Sequence, residues 1–122
     1  MENKVENKVE NNPCPVTATI TLIGGRWKPL ILFNLSDHTR RFGEIAVRMP
    51  SISRKVLSEQ LKELEVDGLI HREQFKEIPP RVEYSLTELG KSISPLLIHM
   101  ATWGQEMVLN ARSINVESPR HL

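Results

Sequence analysis

Residues 50–70 read PSISRKVLSEQLKELEVDGLI, and this stretch decides the fold. Leu57, Leu61 and Leu64 recur at i, i+4 and i+7, which places them on one face of a helix. The opposite face carries Lys55, Ser58, Glu59 and Lys62, and the helix begins among Ser51, Ser53, Arg54 and Lys55. Asp67-Gly68 stops it, because glycine accepts the left-handed conformation that ends a helix at little cost. The leucines fasten such a helix to a core while its basic, hydroxyl-rich start stays outward. A helix laid into a DNA groove has the same needs: donors for phosphate and short polar side chains near base edges.

The neighbouring segments support that reading. Before it, Phe42, Ile45, Ala46 and Met49 mark a one-sided helix over about residues 43–48, ended by Pro50, so that two helices flank a tight turn. After it, residues 69–75 and 81–86 read as strands, the second alternating Val82, Tyr84 and Leu86 with Glu83 and Ser85. The connector KEIPP between them is polar and stiff. A helix-turn-helix followed by a hairpin is the winged form of the motif. Further upstream, residues 39–42 make a short strand, and residues 26–35 a helix with Pro29 harmless in its first turn. Residues 16–23 form a short buried helix opened by Pro15 and closed by Gly24-Gly25. Downstream, Thr87 caps a helix, Ser94-Pro95 interrupts it, and Ile93, Leu96, Leu97, Met100, Trp103, Met107 and Ala111 continue an apolar stripe to about Arg112.

At 122 residues the chain suits one domain, here residues 13–112, with a slightly acidic arm over 1–12 and a tail over 113–122. Net charge is only +1, but residues 24–62 hold eight cations against three anions, a local footprint. No apolar run reaches the roughly 20 residues that span a bilayer, and the polar N-terminus lacks a signal-peptide core, so a cytoplasmic protein is expected. The single cysteine, Cys14, cannot build an internal disulfide framework. His38, His71, His99 and His121 are scattered, and there is no metal-ligand spacing, G-x-G-x-x-G loop or G-x-S-x-G elbow. An enzyme is not expected, and neither is a cofactor.

IGGRWKPLIL, RRFGEI, ISRKVLSEQLKELEVDGLI, PPRVEYSLTELG and the later ATWG, in this order, resemble the HxlR-type winged helix-turn-helix regulators of bacteria. The resemblance runs from Cys14 to about Met107. It implies a homodimer on operator DNA, with residues 53–67 in the major groove and the hairpin tip at 74–81 against the backbone or minor groove. It also implies a possible sensor, because some family members use a cysteine just before the first helix to detect quinones, aldehydes or oxidants. Cys14 stands there.

The expected architecture is therefore mainly α with a small β-hairpin wing, dimeric through the N- and C-terminal helices. Ser51, Ser53, Arg54, Lys55 and Ser58 are the candidate groove-facing residues. One of the first two serines is expected to be spent as the helix cap. Arg54 is the best candidate for a bidentate guanine contact. Lys76 and Arg81 in the wing, with Arg40 and Arg41, are candidate phosphate contacts. Val16, Ile20, Ile23, Leu96, Leu97, Met100, Trp103 and Met107 are candidate dimer residues, since two-fold symmetry places two recognition helices about one DNA turn apart. Trp27, Phe42 and Tyr84 are assigned to the core. A repressor, relieved through Cys14 by an electrophile or oxidant, is the favoured function. The alternative is a winged helix that binds protein and not specific DNA.

Overall fold

The computed structural model describes residues 14–111. The expected arm (1–12) and tail (113–122), like Pro13 and Arg112, lie outside the described residues. In chain order the elements are α1 (Pro15–Ile23), α2 (Lys28–Asn34), β1 (Arg40–Arg41), α3 (Phe42–Arg48), α4 (Arg54–Val66), β2 (Ile70–Phe75), β3 (Arg81–Leu86), α5 (Glu88–Ser92) and α6 (Ser94–Gly104). A π-helical turn over Gln105–Leu109 continues α6, so the apolar stripe does not lie on one regular helix.

α4 is the recognition-helix candidate, and the core is built around it. Leu57, Leu61 and Leu64 are all at most 1% exposed and pack with Ile31 and Leu32 of α2, Ile45 of α3 and Ile70 of β2. Each such leucine contributes about 2 kcal/mol by leaving water. Ser53 is the cap: its hydroxyl accepts the Val56 N–H at 3.1 Å. At the other end Gly68 has φ +81°, Gly68 N–H reaches the Glu65 carbonyl at 3.0 Å, and Leu69 N–H reaches Leu64 at 2.9 Å. This left-handed cap turns the chain directly from α4 into β2.

The sheet has the order β1-β3-β2, antiparallel throughout, with Arg40 opposite Tyr84 and Arg72 opposite Tyr84 on the other side. Thr87 joins the hairpin to the C-terminal helices. Its hydroxyl donates to the Gly68 carbonyl at 2.6 Å and accepts the Gly90 N–H at 3.1 Å.

Two expectations about burial change. Most of α1 is not buried within the protomer: Val16 is 67% and Ile20 61% exposed, Ile23 alone is fully buried, and Leu22 is half-buried against the core. Conversely Ile23 and Leu97, expected at the dimer seam, are 5% and 4% exposed in this protomer's own core. They anchor α1 and α6; the apolar residues left facing outward are their neighbours. Trp27, Phe42 and Tyr84 pack against the core as expected.

Candidate nucleic-acid interface

The N-terminal half of α4 presents the face that its sequence promised. Ser51, Ser53, Arg54, Lys55 and Ser58 are all exposed, while Ile52 and Leu57 between them are buried. For Arg54, Lys55 and Ser58 this follows from helix geometry, since the leucine side faces inward; Ser51 and Ser53 stand in the turn before α4, where Ile52 alone is buried. Ser53 is committed to its cap, which leaves Ser51 and Ser58 as the free hydroxyls of this set. Arg54 has its guanidinium over the Phe42 ring at 5.6 Å, a cation–π contact that orients the group and consumes none of its N–H donors. Neither Arg54 nor Lys55 has an ion-pair partner within 4 Å among the described residues, so both charges are available to a ligand.

The other expected cations divide differently. Arg40 is not a surface contact. Its side chain is 11% exposed, its Nε donates to the Asn34 carbonyl at 2.6 Å, and its Nη2 lies 3.3 Å from Asp37 Oδ1. Asn34 also accepts Arg48 Nε on its side-chain oxygen at 3.0 Å and donates to the Leu30 carbonyl at 2.9 Å. One asparagine thus ties α2 to β1 and α3, which explains why Arg40 is held inward. Lys28, counted in the basic footprint, is also internal: it is 8% exposed and reaches Glu63 of α4 at 2.7 Å.

Arg81 is likewise used within the wing. It pairs with Glu77 at 2.9 Å and Glu83 at 3.5 Å, and its guanidinium lies 4.0 Å from the centre of the Phe75 ring. Two carboxylates and an aromatic face compensate this charge, so Arg81 braces the hairpin and is a poor phosphate contact. Arg41 and Lys76 remain exposed. Arg41 N–H donates to Glu44 Oε1 at 2.7 Å, closing the start of α3 and leaving its side chain outward. Sequence reasoning missed the roles of Asn34 and Glu63, because neither residue type announces a partner separated from it by many positions.

Cys14 is exposed and precedes α1. The Thr17 backbone N–H, then its hydroxyl and the Val16 N–H, face the sulfur and hold its pKa below the ordinary thiol value. Hydrogen bonding from the first turn of α1 is thus what favours the thiolate, against a smaller opposing effect of burial. Beginning two residues on, Val16, Ile20 and Ile23 of α1 and Leu96 and Met100 of α6 line an apolar groove of about 350 Å³. Further along the chain, Trp103 at the end of α6 and Met107 in the π-helical turn are each more than half exposed.

Among the described residues no helix is long and apolar enough to cross a membrane, and no group of three metal-binding side chains comes together.

The HxlR-like helix-turn-helix family model matches residues 22–112. The HTH-type transcriptional regulator YdeP of Bacillus subtilis is 48% identical over 93 residues, covering 76% of this chain and 73% of its own. Among solved structures, the oxidised redox regulator HypR is 44% identical with a TM-score of 0.73, covering 75% of this chain and 95% of that one. The reduced regulator YodB of B. subtilis is 38% identical with a TM-score of 0.66, covering 78% and 94%. The match takes in α2 to α6, including the two helices and the hairpin described above. On this ground the chain belongs to the HxlR-like helix-turn-helix family of transcriptional regulators, and is a regulator of transcription, not an enzyme.

Proposed function

We propose that this protein is a cytoplasmic repressor that binds operator DNA as a homodimer. The observation that carries the reading is the exposed set Arg54, Lys55 and Ser58 on a helix whose opposite face is sealed into the core, with Ser51 exposed in the turn before it. Such a helix can enter a major groove without disturbing the fold. Arg41 and Lys76 add phosphate contacts on either side. Val16, Ile20, Leu96, Met100, Trp103 and Met107 meet their counterparts in a second subunit, since an apolar face of this extent is costly in water. Two subunits then place two α4 helices in successive major grooves and occlude the promoter.

Arg54 reads bases in this arrangement. Arg54→Ala is expected to weaken binding to a selected duplex about 10-fold to 100-fold, the worth of one bidentate contact. Binding to random duplex should fall much less. Fluorescence anisotropy on both duplexes tests this, and an equal loss on both would reduce Arg54 to a phosphate contact. Weak, sequence-blind binding by the unaltered protein would favour the protein-interaction reading.

Cys14 is the proposed trigger. Three features support it: its exposure, its lowered pKa and its place two residues before Val16 of the apolar groove. The similar redox regulator HypR has been solved in oxidised and reduced forms, and YodB in a diamide-treated form, which is in keeping with this reading. With one cysteine per chain, the products are an adduct, a mixed disulfide or a Cys14–Cys14′ bridge across the dimer. Diamide is expected to release the protein from DNA and Cys14→Ser to abolish that response, as judged by gel shift alongside intact mass. Full reaction of the thiol with unchanged DNA affinity would remove Cys14 from the switch.

A further inference from the structure

Below the recognition face, Ser58, Lys62 and Glu65 of α4 and Arg72 and Tyr84 of the sheet line a groove of about 350 Å³. Ser58 belongs to the proposed base-reading face, and Lys62 follows it by four residues, so the groove continues that face by one helical turn. Arg72 enters from β2, where it stands opposite Tyr84 in register. Lys62 and Arg72 are both exposed, and neither has an ion-pair partner within 4 Å among the described residues. Glu65 is the one carboxylate in the lining, so the groove keeps a net positive charge.

We propose that this groove seats one backbone phosphate of bound DNA between Lys62 and Arg72. The inference rests on the DNA-binding reading above and names a contact of that same interface. Two observations favour it. The wing's Arg81 and the β1 cation Arg40 are paired within the protein, so of the four expected backbone cations Arg41 and Lys76 alone stay available and further phosphate contacts must come from other residues. And in a recognition helix the N-terminal residues meet base edges, so the phosphate backbone bordering the groove lies further along, where α4 meets β2. Two cations from separate elements then fix the angle of α4 against the duplex, and the contact carries no sequence information.

The test is the salt dependence of binding. Anisotropy titrations of the full chain would use a 30-bp duplex selected from a random library, and an unselected duplex of equal length. The double variant Lys62→Gln, Arg72→Gln is expected to lower the slope of log K against log salt by roughly 0.9 per half-site, one phosphate's share. The loss should be the same on both duplexes. Arg72→Lys should restore most of the slope when Lys62 is intact, which a folding defect would not allow. An unchanged slope in the double variant, with the unaltered protein binding steeply, would overturn the groove alone. Absence of salt-dependent binding by the unaltered protein would overturn the DNA-binding reading and this contact with it.

Discussion

The variant Ile20→Asp is expected to sediment as a monomer and to lose operator affinity by about 100-fold or more. Ile20 is 61% exposed in the protomer and lines the apolar groove between α1 and α6. In the proposed dimer it would be covered by the second subunit. A carboxylate placed there loses its hydration without gaining a partner, a cost of several kcal/mol. The protomer should still fold, because its own core does not use Ile20. DNA affinity falls because the second half-site is no longer bound intramolecularly, and that linkage contributes about 10²–10⁴ in avidity. Analytical ultracentrifugation and anisotropy on one sample measure both effects. A dimer that persists at the same concentration would place the subunit contact elsewhere.

A second large effect is expected at Gly90, for a reason internal to the fold. Gly90 is buried in α5, and a Cβ built on it would overlap the Leu69 carbonyl oxygen and press on Leu86 Cδ2 at 3.2 Å. That carbonyl accepts the Thr87 N–H at 3.1 Å and lies where α4 turns into β2. Backbone cannot give way as a flexible side chain can. Gly90→Ala should therefore cost about 3 kcal/mol, the upper end for overpacking, and lower Tm by roughly 15 °C for a domain of this size. Gly43→Ala is the control. Gly43 lies in α3 with nothing within 4 Å of its added Cβ, so alanine there should be neutral or stabilise by about 0.5 kcal/mol. Scanning calorimetry on the two variants separates a true clash from a general intolerance of alanine. Equal Tm values would show that the Leu69 turn moves aside.

Much of this was legible in residue order. The leucine spacing of α4, the Gly68 stop and the Thr87 cap each depend on neighbours within a turn, and each stands as expected; of the two serines offered as cap Ser53 is the one used, and β3 forms as a strand but with Val82 to Ser85 all half-buried, because β1 and β2 flank it on both edges. Charges were the harder part. Arg40, Lys28 and Arg81 look like surface cations in sequence, yet each meets its partners through the fold. Arg40 is drawn in by the Asn34 carbonyl, Lys28 by Glu63 some 35 positions away, and Arg81 by Glu77 and Glu83, with its guanidinium over the Phe75 ring. Burial of the apolar helices was similarly divided. Spacing marks which α1 and α6 residues are apolar, but not which of them a protomer uses for itself.

The sequence by itself thus determined the helices, the hairpin and the outward set Ser51, Ser53, Arg54, Lys55 and Ser58, because periodicity, capping and turn chemistry are local. Only the tertiary structure decided which cations remain free for DNA and that Ile23 and Leu97 serve the protomer while Ile20 and Met100 stay exposed. It alone brought Arg72 beside Lys62. The physical reason is the same throughout: a charge or an apolar surface is available only when nothing folded against it has already satisfied it, and the fold sets that geometry whether the partner is four residues away, as Glu77 is from Arg81, or 35, as Glu63 is from Lys28.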